Sequence, residues 1–454
     1  MYVDVDEAEN FLQTGGYEYI RFEETDLHGM SRSKTVPAPH FRRFAQNGLN
    51  FFGGLLGLDL QADVPPNTGY MDERRFADQL IWPDLDTLAP VPWVPGVARV
   101  LCEPSWYDRE PAKAAPRWLM RQMLQRLDEM GYSVRGGFEY EFYLVEAETR
   151  KPVFDGIEIF WTLRNDFDAE FMRDVLDNLR EAGLDIITSN AEYGPGQLEI
   201  NYAPATGAAA ADQAFTFKSA VKEMAQQQGY MASFMTKPWA ERSASGGHYH
   251  HSLIHSDSGQ NAFFDANAPD KLSRLARHWI GGQLAHAAAL TALVSPTVNC
   301  AKRYKLFSFA PMNETWGYED RTAAIRIKGG REGETHVENR TPSAASNPYL
   351  VAAAMLAAGM DGLLKEIDPP APTESIAYAD EQADKLPQTL DEALDALEKD
   401  MVLREYLGEE FVQLFLAVKR FESNKARQAT PEYGKPGWPN LVTDWERTNL
   451  FEYL

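Results

Sequence analysis

Cysteine is nearly missing: Cys102 and Cys300 stand far apart in 454 residues. That excludes a disulfide framework, and their separation matches no zinc or redox spacing, so a reducing cytoplasm is the expected home. Long apolar runs are missing too. The longest, YLVAAAMLAAGM at 349–360, falls short of a membrane span and ends at Asp361. The opening stretch MYVDVDEAEN has neither the basic nor the apolar segment of a secretory signal. Positive charge is scarce, with 44 lysines and arginines against 67 aspartates and glutamates. The resulting net charge of −23 argues against nucleic acid and anionic membranes as partners. No GxxxxGK[ST] motif occurs, so a nucleotide would not sit on a P-loop.

What is present reads as an ordinary globular chain, with 44% hydrophobic and 24% charged residues. The first hundred residues carry short strand-like runs, YEYIRFEETDLHG and SRSKTVPAPHF, broken by glycine and proline. The proline-spaced segment LAPVPWVPGVARVLCEPSWYDREP follows and reads as a connection. We therefore expect a small sheet domain over 1–105 and a large α+β domain over 106–454. In the second, strands alternate with amphipathic helices, among them PRWLMRQMLQRLDEMG, DKLSRLARHWIGGQLAHAAALTALVSP, NPYLVAAAMLAAGMDGLLKEI and TLDEALDALEKDMVLREYLG.

The stretch GGFEYEFYLVE, 136–146, alternates apolar residues with carboxylates and puts Glu139 and Glu141 on one strand face. Two like charges so close need either water or something positive on that face. NAEYGPGQLEINYAP places Glu192 and Glu199 on either side of a Gly-Pro-Gly turn. SASGGHYHHSLIH puts His248 and His250 on one strand face, and THVENRTPSAASNPY adds Glu338. Singly, each has an ordinary explanation: a lone strand glutamate is usually solvated, and a lone histidine usually bonds to backbone. Five carboxylates and a histidine together favour hard, oxygen-loving Mg²⁺ or Mn²⁺ over zinc. Arg303, Arg321, Arg326 and Arg340, interleaved with these strands, suit a clamp for phosphate and a carboxylate substrate.

The order F-E-Y-E-F, N-A-E-Y-G-P-G-Q-L-E, F-M-T-K-P, S-G-G-H-Y-H-H-S-L, I-R-I, N-R-T and S-N-P-Y-L resembles the glutamine synthetase family. The likeness runs from about residue 17 to beyond 400. It implies a small β-grasp-like N-terminal domain, and a catalytic domain in which helices surround a curved antiparallel sheet. It further implies ATP-dependent ligation of glutamate to an amine through γ-glutamyl phosphate. By resemblance, Glu141, Glu192 and Glu199 hold one divalent ion, and Glu139, His248 and Glu338 a second. His250 and Ser252 match positions that contact the nucleotide. Arg321 and Arg326 match phosphate-binding arginines, while Arg303 and Arg340 match those that hold glutamate and its acyl phosphate. The assembly implied is a dodecamer of two hexameric rings, with sites shared between neighbours.

The chain also departs from that pattern. An ammonia-using member needs carboxylates at the amine site to attract and deprotonate ammonium. One belongs six residues beyond Arg303, where Phe309 stands. The other belongs on the N-terminal domain, where the match FFGGLLG supplies Gly53, followed by Leu55 and Leu56. Ser243 and Ala244 replace an Asn-Gly pair before the histidine strand. These changes favour an apolar amine over ammonia and disfavour polyamines. An arylamine, neutral without a base, is expected first, giving a γ-glutamylanilide. A small alkylamine or ethanolamine comes next. Ordinary glutamine synthesis and a non-catalytic family member are the remaining readings, and retention of all six metal-site residues opposes the last.

Overall fold

The computed structural model describes residues 4–156 and 159–454. Six strands from the first part of the chain form one sheet: β1 (Tyr19–Thr25), β2 (Ser31–Pro37), β3 (Leu49–Phe52), β4 (Asp78–Pro83), β5 (Ala89–Pro90) and β6 (Val97–Ser105). Their order is β2-β1-β6-β4-β3, with β5 also on β6, and only β1 and β6 run parallel. Alternation explains the packing, since Ile20 and Phe22 of β1 join Phe41 and Val100 in a small core of their own.

The second sheet is built from β7 (Tyr132–Glu146), β8 (Ile186–Ala191), β9 (Gln197–Tyr202), β10 (Ala205–Thr206), β11 (Tyr230–Ser233), β12 (Gly247–His255), β13 (Trp316–Tyr318), β14 (Ile325–Lys328) and β15 (His336–Asn339). It runs β13-β14-β15-β12-β7-β9-β8, with β10 and β11 also paired to β7. All pairings are antiparallel except β13 with β14. The mixed α+β fold expected from the sequence is the one observed.

The long strand β7 is the spine. Its Phe138, Tyr140 and Phe142 are buried, and Tyr140 and Phe142 pack against Phe217 and Phe234. Each such ring contributes about 1.5–3 kcal/mol by leaving water. That apolar face stabilises the strand so that the opposite face can carry Glu139 and Glu141. The apolar run 349–360 lies in the helix Pro348–Lys365, which is buried on nearly all sides. Its approach to the helix Arg274–Ala285 is backbone against backbone: a Cβ on Gly362 would lie 2.1 Å from the His278 carbonyl oxygen. Among the described residues, no helix is long and apolar enough to cross a membrane.

Two of the long helices expected from the sequence are each broken. The stretch 270–296 divides into Arg274–Ala285 and Ala287–Val294, and 389–408 into Leu390–Lys399 and Met401–Leu407. The breaks fall at His286 and Asp400, and these two residues touch. His286 Nδ1 lies 2.6 Å from Asp400 and Nε2 lies 3.1 Å from Asp361, which also meets Lys365 at 2.8 Å. Asp400 in turn caps the following helix by accepting from Val402 and Leu403 N–H. Burial alone would lower the histidine, but Asp400 and Asp361 outweigh it and hold His286 above its ordinary value. The sign of the linkage follows. The clamp contributes fully below about pH 6.5, where unfolded histidine is also protonated, and its contribution fades as pH rises through the raised folded-state value. We expect His286→Asn to lower Tm at pH 6 and to lower it less at pH 9. Scanning calorimetry checks this, and a deficit that grows with pH would contradict it.

The two sheets are tied together by charge. Buried Arg117 reaches Asp84 and Glu103 of the first unit and Asp212 of the second, at 2.8, 2.8 and 2.9 Å. Lys425 meets Asp59 and Asp63 at 2.6 and 2.7 Å, and Asn347 Nδ2 donates to the Asp26 carbonyl.

Candidate active site

Cross-strand register assembles the site. Reading across the sheet, Arg326 of β14 faces Glu338 of β15, and Glu338 faces His250 of β12. One step along, His248 of β12 faces Glu139 of β7; one step further, Glu141 of β7 faces Glu199 of β9. Asn190 of β8 lies across from Glu199. The hairpin β8–β9 then returns Glu192 to the same cluster, its N–H bonded to the Gln197 carbonyl. The face that looked overcharged in sequence is a ladder of acids, imidazoles and guanidinium.

The charges divide this ladder into two halves. On one side cations already balance the acids. Glu338 accepts from Arg340 and, at 3.1 Å, from Arg326. Burial works to raise the Glu338 carboxyl, but Arg340 and the two histidines outweigh it and hold it at about 2. Glu139 lies 3.4 Å from His250 Nε2, without the alignment of a full hydrogen bond. Burial again acts upward, yet His250 holds Glu139 well below the carboxylate range, and Glu139 with Glu338 holds His250 up.

On the other side the acids face one another. Burial and the neighbouring Glu192 push Glu141 up to about 8. Burial together with Glu139, Glu141 and Glu192 pushes Glu199 up to about 10, and burial raises Glu192 as well. Such crowding is relieved either by protons or by a cation. His248 reinforces the demand: burial lowers its imidazole well below the ordinary value, and its buried Nδ1 has no hydrogen-bond partner among the described residues. The three crowded carboxylates form a donor set that fits Mg²⁺ or Mn²⁺, and the neutral imidazole of His248 offers a free nitrogen for a second ion beside them. Among the described residues, no three acidic, histidine or cysteine side chains already converge as a finished cage. Glu139 and Glu338 are turned toward His250 and Arg340 instead.

Beside the ladder lies a cavity of about 860 Å³. Glu139, His250, Ser252, Asn201, Lys328 and His336 are among the residues that line it. Arg303 is not among the residues that line this cavity. Its Nη1 donates to the carbonyls of Arg340, Thr341 and Pro342 at 3.0, 3.1 and 3.2 Å, and its charge favours the ionised form of Glu141. Arg340 Nε donates to the Arg321 carbonyl and Nη2 to the Phe309 carbonyl. The Arg321 side chain is exposed and within electrostatic reach of Glu192. Arg326 is bound at both ends by carboxylates, Glu338 and Glu319.

Phe309 projects from the segment 305–311 and is 55% exposed, as Phe307 is 76% exposed. Phe307 and Phe309 both have a left-handed backbone, with φ of 59° and 58°, which is uncommon for bulky residues. Ser243 and Ala244 present backbone rather than side chain, accepting from Tyr143 Oη and Gln197 Nε2. Gly53, Leu55 and Leu56 lie apart from this chain's cavity, in a short turn over Gly53–Gly57. A Cβ on Gly53 would meet the Ala77 carbonyl at 2.6 Å and Trp106 at 2.8 Å, so no side chain fits there.

Sequence reasoning misses Gln197. Its buried Nε2 donates to Glu141 at 3.0 Å and to Ser245 Oγ at 3.0 Å, while its Oε1 accepts from Gly194. The signal is present, since Gln197 precedes Glu199 by two residues on one strand and so shares its face. His336, 3.1 Å from His250 Nδ1, is missed as well. His251 is the core histidine of the group, accepting from Trp279 Nε1 on the opposite face.

Clustered acids that call for a cation and arginines that reach the same face thus stand beside the cavity. Residues 113–434 match the glutamine synthetase catalytic domain. Human lengsin is 35% identical over 91% of this chain and 81% of its own length. A glutamate–methylamine ligase of Methyloversatilis universalis is 34% identical over 99% of both chains. A glutamate–isopropylamine ligase of a Pseudomonas species is 32% identical over 98% of this chain and 97% of its own. The solved structure of a GmaS/ADP complex superposes with a TM-score of 0.84, at 29% identity over 99% of both chains. The chain belongs to the glutamine synthetase family.

Proposed function

We propose that this chain is an ATP-dependent ligase joining the γ-carboxylate of glutamate to an amine through γ-glutamyl phosphate. The observation that carries this reading is the acid and imidazole ladder, with Arg340 bonded to Glu338, Arg303 acting on Glu141, and a cavity lined by Glu139 and His250. A glutamate γ-oxygen attacks the γ-phosphorus of ATP, and ADP leaves. The amine nitrogen then attacks the acyl carbon, phosphate leaves, and the nitrogen gives up a proton. Arg303 and Arg340 hold glutamate and the developing acyl phosphate, while Arg321 and Arg326 serve the phosphates. For Arg326 this requires exchanging Glu319 for substrate. His250 and Ser252 line the cavity for the nucleotide. Glu141, Glu192 and Glu199 would hold one Mg²⁺ or Mn²⁺, and Glu139, His248 and Glu338 a second, supplying charge neutralisation for phosphoryl transfer. ADP in the GmaS structure and the methylamine and isopropylamine relatives support the reaction class.

The amine we favour is apolar and preferably aromatic. From Lys305 to Pro311 the flap offers Leu306, Phe307 and Phe309 and no acid. Without a base there, an amine already neutral at pH 7 is the better nucleophile. A phenyl ring can pack on Phe309 edge-on or offset. The alkylamine relatives favour a second reading, a small alkylamine. Gly53 and Leu55 would stand at the amine pocket of a neighbouring copy in a dodecamer, whereas Leu56 is fully buried in this chain's own core and does not reach it. Phosphate release with ATP, glutamate and aniline, isopropylamine, ethanolamine, putrescine or ammonium tests the ranking. We expect aniline first, isopropylamine second and ammonium last. A preference for ammonium or putrescine would overturn the apolar pocket.

A further inference from the structure

Lys302 and Glu446 form an ion pair whose side chains are only 1% and 0% exposed. Lys302 Nζ meets both Glu446 oxygens and the Leu441 carbonyl, each at 2.7 Å, and lies over the Trp438 ring. Glu446 also accepts from Asn299 Nδ2 at 2.8 Å and from Thr443 N–H and Oγ1, closing the cap of the helix Asp444–Leu450. Asn299 is itself bonded at both ends to the Lys237 backbone. Stability does not explain such a pair, since well-packed apolar residues in its place are often as stable or more so. What it does provide is direction.

The direction matters because the next residue is Arg303. Cys300–Arg303 is a 3₁₀ turn, in which successive side chains point about 120° apart. Lys302 is held toward the C-terminal helix while Arg303 reaches the carbonyls of 340–342 and the Glu141 side of the site. Tyr304 then bonds Ser295 Oγ and the Thr341 carbonyl, and Ser308 Oγ donates back to the carbonyls of Arg303 and Lys305. The flap with Phe307 and Phe309 hangs from this turn.

We propose that Lys302 and Glu446 are positioning residues: their buried pair sets the turn that aims Arg303 and fixes where the Phe309 flap stands. The pair thereby governs the use of glutamate and amine, and leaves the nucleotide cavity alone, since neither residue lines it. This rests on the ligase reading above. The test is the double variant Lys302→Met/Glu446→Leu, with Lys302→Met/Glu446→Gln as a milder change that keeps the Glu446 side-chain shape and strands no buried charge. Misplacing a substrate-holding group by about 1 Å costs roughly 100-fold. We expect kcat/KM for glutamate and amine to fall by that order in the first double variant, and less in Lys302→Met/Glu446→Gln, with KM for ATP unchanged.

Trypsin cleavage after Lys305 should accelerate in both variants, a readout that needs no turnover. Should the first double variant not fold, Lys302→Met/Glu446→Gln carries the same test. Wild-type kinetics with normal flap cleavage in a folded variant would overturn the proposal. So would an equal loss for all three substrates, which is the mark of a merely weakened fold. Absence of amine-dependent phosphate release in the wild type would instead refute the ligase reading, and flap cleavage would still report on the pair.

Discussion

Glu199→Gln is expected to abolish turnover without costing stability. Glu199 is buried on β9 directly across from Glu141, with Glu192 returned to the same cluster by the hairpin. Among the described residues, its one hydrogen-bond donor is Asn201 Nδ2 at 2.9 Å. Three acids in one pocket repel each other, so replacing one by a neutral amide of the same shape relieves the metal-free protein. The same change removes a ligand. Changes just outside a metal shell already cost about 10–100-fold, and loss of a ligand should exceed that. Three measurements separate the effects. In EDTA, the variant's Tm should equal or exceed that of the wild type. With Mn²⁺ or Mg²⁺, the wild type should gain Tm by binding linkage, and the variant should gain far less. Phosphate release by the wild type should vanish in EDTA and return with metal. Full wild-type activity in excess EDTA would sink the metal assignment, and an active Glu199→Gln would remove Glu199 from it.

Much of this site is legible in the sequence because strand alternation is a local signal. Two residues apart means the same face, which is enough to pair Glu139 with Glu141 and His248 with His250. Register is not local. Nothing in the sequence says that Arg326 lies across from Glu338, or that Gln197 bridges Glu141 to Ser245, because those facts depend on which strands pair and at what offset. The same limit explains the helices. Periodicity carries the pattern straight through His286 and Asp400, and both breaks come from one ion cluster that includes Asp361 on a third helix. The length of the apolar run 349–360 is itself enough to set it apart from a membrane span. That it is buried on nearly every side follows from close approaches such as Gly362 to His278, which only the packing reveals.

In the proposed reaction Phe309 decides the amine, and its replacement should change the substrate rather than merely slow the enzyme. Phe309→Ala removes the apolar wall and should raise KM for aniline about tenfold, the scale of one aromatic contact, with KM for ATP unchanged. Phe309→Glu should be worse for aniline, because a carboxylate facing an apolar ring without a partner costs upward of about 2 kcal/mol, or roughly 30-fold. Ammonia use should not follow from Phe309→Glu alone, since the opposite wall would still lack an acid. Gly53→Asp looks like the matching change in sequence, but the structure rules it out as a fair test. The Ala77 carbonyl and Trp106 already occupy the space of a Cβ there, so that variant would report on folding. Leu55, only partly buried in the same turn, is the position where an acid can be accommodated. The informative variant is therefore Phe309→Glu/Leu55→Asp, assayed by phosphate release across the amine panel. We expect the aniline-to-ammonium ratio to fall in the order wild type, Phe309→Glu, double variant. A ratio unmoved by either change would show that the flap does not face the amine.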